Sequence, residues 1–210
     1  MQPSWHAVAD KVVIDYGCGD GFHAVQMAKH GAKQVIGIDI RRAALDAAAT
    51  AAAEAKVSDR CLFVTETDAK ADVVFSVCAF EHFAHPDQVL QTMAGLLKPE
   101  GSAWIYFGPP WLHPRGGHGL AIFPWAHILF SEHALMRWRS DYRTDGALRF
   151  VDREDGLNQM TIARFHRIVR ASPFRVAGLD LIPIRRMRLF SNFLTREFLT
   201  SAVRCRLLLA

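Results

Sequence analysis

The strongest constraint on this chain is a turn, Asp15-Tyr16-Gly17-Cys18-Gly19-Asp20-Gly21, which sets three glycines at alternate positions directly after the apolar run Val12-Val13-Ile14. Glycines at the end of a buried strand let the backbone take positive φ and remove side chains that would hold a ligand away. The run that follows, Phe22 to His30 closed by Gly31, reads as a helix whose first N–H groups suit a negative ligand group. Strand, glycine turn and helix in that order begin a unit that builds parallel sheet, with the ligand at the carboxyl end of the strand. A second apolar run, Gln34 to Asp39, ends in a carboxylate that can accept hydrogen bonds from both hydroxyls of a ribose.

The alternation continues. The alanine-rich stretch Arg42 to Lys56 has high helix propensity, Cys61 to Thr65 is a third strand, and Asp72 to Cys78 is a fourth, apolar enough to be covered on both faces. Pro86 suits a first helical position, and Val89, Leu90, Met93, Leu96 and Leu97 share a face of the helix it opens. Lys98-Pro99-Glu100-Gly101 reads as a turn and Ser102 to Phe107 as the fifth strand. Gly108 to Gly119 is then too rich in proline and glycine for either element and predicts a long loop. Ser131 can cap a helix to about Arg139, while Asp141 to Asp155 carries no clear period. Thr161 can cap a helix with Ile162, Phe165, Ile168 and Val169 on one side and Met160 stapled to Phe165. Phe174 to Ile184 and Ser201 to Leu209 are the remaining strand candidates.

At 210 residues and 50% hydrophobic the chain suits a single domain, and the four scattered cysteines, Cys18, Cys61, Cys78 and Cys205, suit buried reduced thiols rather than a metal site. No long uncharged apolar stretch occurs and Met1 to Asp10 has no leader pattern, so the expected location is cytoplasmic, with no membrane span. The charge is uneven: residues 1–108 hold 9 Lys plus Arg against 13 Asp plus Glu, and residues 109–210 hold 16 arginines against 8 acids. An arginine-rich half suits an anionic partner, or simply a solvated basic exterior. No nucleic-acid module accompanies it, and Arg185, Arg186 and Arg188 with Leu189, Phe190 and Phe193 are too short a stretch for an amphipathic membrane anchor.

Spacing separates two cofactor classes. A dinucleotide fingerprint would place its closing glycine where Phe22 stands, whereas here the third glycine comes one residue earlier at Gly21. The pattern instead resembles the class I S-adenosylmethionine-dependent methyltransferases, in the small-molecule branch. Thr67-Asp68-Ala69, Phe80-Glu81-His82-Phe83 and Leu96 to Gly101 resemble further segments of that family in the same order, so the resemblance covers about residues 10 to 108. It implies a Rossmann-like α/β fold with a mostly parallel seven-stranded sheet in the order 3-2-1-4-5-7-6 and helices on both faces. It also implies that S-adenosylmethionine, leaving as S-adenosylhomocysteine, is held by Asp15, Gly17, Cys18, Gly19, Gly21, Asp39, Ile40, Asp68 and Ala69. Only Ala69, Lys70 and Ala71 separate Asp68 from the fourth strand, a shorter link than relatives usually have.

The segment from about 109 to 160 should overlook the reacting methyl group, as a lid inserted after the fifth strand. Its Gly-Gly-His and Pro-Trp-Ala-His elements offer His118 and His127 as candidate bases, and His113 lies just ahead of them, with a structural hydrogen-bonding role as the plainer reading of each. In the same way Trp111 and Trp125 read as packing, and Glu81 and His82 as wall residues. The expected activity is transfer of a methyl group to an oxygen or nitrogen of a small-molecule acceptor, for which the arginine-rich half suits an anion. The rivals are a nucleotide-linked oxidoreductase and a cofactor-binding regulatory protein or partner subunit without turnover. Neither the acceptor nor the oligomeric state is readable from the sequence.

Overall fold

The computed structural model describes residues 8 to 210, so residues 1 to 7, on which most of the leader reading rests, lie outside it. The elements follow in the order β1 (Val12–Tyr16), α1 (Phe22–Lys29), β2 (Gln34–Ile38), α2 (Arg42–Glu54), β3 (Cys61–Val64), β4 (Ala71–Val77), α3 (Pro86–Leu96) and β5 (Leu97–Phe107). After these come α4 (Ala126–Leu129), α5 (Glu132–Arg139), α6 (Ile162–Arg170), β6 (Phe174–Pro183), α7 (Arg196–Leu199) and β7 (Thr200–Leu209). One seven-stranded sheet runs β3-β2-β1-β4-β5-β7-β6, the order expected from the resemblance. Strands β1 to β5 pair in parallel, and β7 enters antiparallel between β5 and β6.

The period-two alternation of the central strands divides the interior into two cores. Val13, Val35, Val73 and Phe75 face α1 and α2, meeting Ala24, Val25, Met27, Ala28 and Ala52. Ile14, Ile36, Val74 and Ile105 face α3 and α6, meeting Leu90, Met93, Phe165 and Val169. Helix α6 begins as expected: the Thr161 hydroxyl accepts from the Arg164 N–H, and Met160 and Phe165 are both buried in the same core. Its next two amides have a partner that no local pattern announces, the Glu197 carboxylate of α7, which accepts from Ile162 and Ala163.

Two expectations need correction. Lys98 to Gly101 is not a turn before the strand, nor Leu97 part of the helix: all five belong to β5, whose register against β4 jumps from Ala71↔Leu97 to Val73↔Ser102. The irregularity is held by Asp72, whose carboxylate accepts from the Val12 N–H at 2.9 Å and from Lys98 Nζ at 2.7 Å. Nor are all the thiols buried: the four cysteines are free, and Cys78 is exposed where the chain turns, at φ 52, off the end of β4.

Between β5 and α6 the chain leaves the sheet and returns to almost the same point, closed by a hydrogen bond from the Trp111 N–H to the Met160 carbonyl at 2.7 Å. The intervening residues form α4, α5 and a single 3-10 turn at Phe150–Asp152. They surround a separate small core of Leu120, Leu135, Met136, Ala147, Phe150 and Leu157. Helix α5 has the expected cap, with the Ser131 hydroxyl accepting from the Ala134 N–H. Among the described residues no helix is long and apolar enough to cross a membrane.

Candidate functional site

The glycine turn sits at the carboxyl ends of β1 and β2, and its three glycines do different things. A Cβ on Gly17 would stand 2.6 Å from Ala79 Cβ and 3.1 Å from the Phe83 ring, and one on Gly21 would stand 2.6 Å from Ala48 Cβ. Both positions are therefore required by packing, Gly17 against the loop after β4 and Gly21 against α2, and both have positive φ. Gly19 also has positive φ, but the nearest atom to its Cβ direction is Arg41 Nη2 at 3.8 Å. Open space lies over Gly19 alone of the three.

Four amides of the turn itself are already used within the fold. Gly17 and Cys18 both donate to the Ile38 carbonyl, Gly21 donates to the Cys18 carbonyl, and Gly19 donates to Asp39 Oδ2 at 3.0 Å. Asp39 Oδ1 accepts from both the backbone N–H and Nε of Arg41, at 2.9 and 3.2 Å. The Cys18 side chain is buried and turned toward the sheet, its Sγ 2.9 Å from where a Cβ on Gly37 would be, so Cys18 offers the site backbone only. Ile40, next to Asp39, is 89% exposed. Asp68 is exposed and Ala69 half-buried in the loop after β3, where the Ala69 N–H is taken by the Thr67 hydroxyl.

Asp15 is 1% exposed, and its Oδ2 has no hydrogen-bond partner among the described residues. Burial pushes its carboxyl up to about 7, a hydrogen bond from the Ala24 backbone draws it down in part, and the nearby Asp39 charge raises it further.

The loop after β4 forms the facing wall. Glu81 is 2% exposed; its Oε1 accepts from the Gly108 N–H at 3.0 Å, and its Oε2 has no partner among the described residues. Burial raises its carboxyl above the ordinary range. The Asn158 side chain holds this loop by donating to the Phe80 and Phe83 carbonyls, both at 2.9 Å, and its backbone N–H donates to the Glu81 carbonyl. Gly156 comes so close that a Cβ there would stand 2.6 Å from the His82 carbonyl oxygen.

The three candidate histidines occupy different settings. His113 Nδ1 accepts from the Arg115 N–H, and His127 Nε2 bonds the Trp111 carbonyl while its ring meets the Trp111 indole edge-on at 4.6 Å. Both are committed to the packing of the segment between β5 and α6. His118 instead packs edge-to-face on His82, ring centroids 5.4 Å apart, and its Nε2 bonds the Pro109 carbonyl. Burial pushes the His118 imidazole down to about 4, so it is neutral at pH 7. Of the glycines that flank it, Gly117 is held by packing, a Cβ there standing 2.9 Å from His127 Cβ, while Gly119 is open, and His118 itself sits at φ 48. Trp111 and Trp125 both pack, Trp111 against His127 and Phe150 and Trp125 through a hydrogen bond to the Leu112 carbonyl.

His118 is the candidate histidine that borders a cavity of about 390 Å³, whose charged lining is mixed: Arg41, Arg139, Arg143 and Arg153 with Glu154 and Asp155. A smaller cavity of about 280 Å³ lies within the 114–127 segment, between His118 and His127. Sequence reasoning did not find Asn158, Arg41 or the proximity of Glu81, His82 and His118, which come together only through the loops of three separate elements.

Residues 14–105 match the protein family described as a methyltransferase domain. The ubiquinone biosynthesis O-methyltransferase of Chromobacterium violaceum is 36% identical over 107 residues, 48% of this chain and 45% of that protein. The ribosomal protein L11 methyltransferase of Pasteurella multocida is 37% identical over 93 residues, 44% of this chain and 32% of its own length. The chain thus spans less than half the length of the curated relatives it matches. Among solved structures, an S-adenosylmethionine-dependent methyltransferase from Mesorhizobium loti shares the fold at a TM-score of 0.66 and 15% identity, covering 98% of this chain and 93% of that one.

Proposed function

We propose that this chain, whose residues 14–105 match a methyltransferase domain, is a class I S-adenosylmethionine-dependent methyltransferase that transfers a methyl group to an oxygen or nitrogen of a small-molecule acceptor. The observation that carries this reading is the open space over Gly19, whose amide donates to the Asp39 carboxylate, with the exposed Ile40 next to Asp39 in the chain. These residues fit a nucleoside-bearing cation. Asp39 would take the ribose hydroxyls, Ile40 an apolar face of the adenine, and Asp68 with Ala69 the adenine edge. The unpartnered Asp15 oxygen suits the methionyl ammonium, since a buried carboxylate is stabilised by an opposite charge.

When bound, S-adenosylmethionine supplies a methyl group on a sulfonium centre. What the chain must do is hold the acceptor atom in line with that carbon and keep water out, because alignment supplies much of the rate of a direct displacement. Arg41 has to leave Asp39 to admit the ribose. Its side chain is 49% exposed but that of Asp39 only 9%, so the exchange stays within about 1 kcal/mol because the ribose hydroxyls take over the acceptor that Arg41 releases. The cavity of about 390 Å³ is of a size for a small acceptor. Of its arginines Arg143 is the one with no acidic partner among the described residues, the feature that would favour an anionic acceptor despite the Glu154 and Asp155 that also line it. The segment between β5 and α6 closes that side as a lid, and of its histidines we assign the acceptor-facing role to His118.

Calorimetric titration tests the cofactor assignment. Heat is expected with S-adenosylmethionine and S-adenosylhomocysteine and none with a nicotinamide dinucleotide; the reverse overturns the proposal in favour of an oxidoreductase. Incubation with methyl-labelled cofactor and two acceptor pools, small hydroxylated or aminated anions and ribosomal protein, tests the acceptor class. Label in the small-molecule fraction supports the reading, and label confined to protein overturns it.

A further inference from the structure

We propose that Glu81, His82 and His118 form a binding site for a first-row divalent transition cation on the acceptor side of the cleft. One ligand atom from each of these residues lies within 4.8 Å of the other two. Metal–ligand bonds of about 2.0–2.2 Å bring donor atoms to roughly 3 Å from one another, a closure that side-chain rotation supplies.

The hydrogen bonds around the cluster prepare it for such an ion. The partner of His82 Nδ1 is the Gly156 carbonyl at 2.9 Å, and that of His118 Nε2 is the Pro109 carbonyl at 3.0 Å. A carbonyl only accepts, so these nitrogens carry the hydrogens, and the other nitrogen of each ring presents a lone pair. Orientation of a histidine by a backbone carbonyl on its far nitrogen is the arrangement that fixes metal-binding imidazoles. Glu81 completes the set. It is 2% exposed, one oxygen satisfied by the Gly108 N–H and the other unpartnered among the described residues, a costly state that a cation relieves. The Arg153 guanidinium, bound to the His118 carbonyl, does not oppose the ion, because Asp155 neutralises it at 2.7 Å.

Two imidazoles and one carboxylate suit zinc, cobalt, manganese or ferrous iron rather than magnesium or calcium, and three protein ligands leave coordination positions open. The role of the ion rests on the proposed methyl transfer and narrows its acceptor to an oxygen. The acceptor hydroxyl takes an open position, which lowers its pKa, and its proton leaves to water. That oxygen then forms the new bond to the methyl carbon while the carbon–sulfur bond breaks, its electron pair staying on sulfur.

Binding is tested without cofactor or acceptor, so its outcome is separable from that of the methyl-transfer reading. Chelator-treated protein is titrated with Co²⁺ and followed by ligand-field absorption and calorimetry. One equivalent is expected to bind. Glu81→Gln, which keeps the acceptor for Gly108, and His118→Asn, which tolerates the positive φ at that position, are each expected to weaken binding at least about 30-fold. His133→Ala, on the exposed face of α5, should leave affinity unchanged. Failure of the wild-type chain to bind Co²⁺, or binding that both variants retain in full while melting as the wild type does, overturns the site.

Discussion

Replacing Asp15 by Asn should change the pH dependence of stability in a way that follows from one buried carboxylate. In the folded chain its pKa is raised from 3.8 to about 7. Between those values the native state binds a proton that the unfolded chain has released, so stability falls as pH rises through that window and is level above it. Each unit corresponds to ~1.4 kcal/mol, which makes the full loss about 4 kcal/mol by pH 8, of which about 3 kcal/mol falls between pH 5 and pH 8. Asn cannot ionise and keeps the acceptor for the Ala24 backbone. Its amide adds a pH-independent cost if left unpartnered, roughly 1–3 kcal/mol, which cancels when the two pH values are compared.

The assay is urea unfolding of both proteins, free of cofactor, at about pH 5 and about pH 8, with a shared slope within each pH. The gain of Asp15→Asn over wild type at the higher pH should exceed that at the lower by about 3 kcal/mol. A double difference near zero would mean that Asp15 is ionised and compensated in the free chain, and would refute both the protonation argument and its proposed use by the cofactor's ammonium.

Gly19→Ala should fold, because its Cβ meets only the movable Arg41 guanidinium, but lose about 1 kcal/mol to its positive φ and most of its cofactor affinity; melting and calorimetry check this, and unchanged affinity counts against the open space as the cofactor's approach. Arg41→Ala should strengthen S-adenosylmethionine binding by no more than about 5-fold, the worth of one side-chain hydrogen bond that the ribose replaces, while Asp39→Ala should weaken it by at least about 10-fold. A large loss in the first variant would show that Arg41 contacts the cofactor. Asn158→Ala removes two buried hydrogen bonds and orphans the Phe80 and Phe83 carbonyls, so chemical denaturation should register a loss of about 2–4 kcal/mol; less than about 1 kcal/mol would mean the loop after β4 is held some other way.

The donor half of the fold was legible because its signals are local. Val12 to Tyr16, Gln34 to Ile38 and Ala71 to Val77 are apolar runs at strand length, and Gly31, Pro86 and Thr161 mark helix ends through the geometry of one or two residues. The glycine pattern located the turn as well, but not how the turn is built. That the amides of Gly17 and Cys18 share the Ile38 carbonyl, and that Gly19 donates to Asp39, depends on the register of β1 against β2. The core of the 109–160 segment draws Leu120, Leu135, Phe150 and Leu157 from four stretches without a common period. The meeting of His82 with His118 requires that the loops after β4 and β5 converge, and no spacing along the chain encodes that convergence.

The hydrogen bond from Trp111 to the Met160 carbonyl gives the segment between them the form of a cassette: its two ends are neighbours, its hydrophobic interior is its own, and no sheet strand passes through it. Such a cassette can be exchanged or redrawn while the glycine turn, Asp39 and the order of the strands stay as they are, so long as Gly156 and Asn158 are kept, because they hold the loop after β4. On the proposed methyl-transfer reading, acceptor choice and donor binding can then vary separately along one chain. Transplanting residues 112–155 onto another sheet of the same topology is, on that reading, the shortest route to moving an acceptor preference without rebuilding the sheet beneath it.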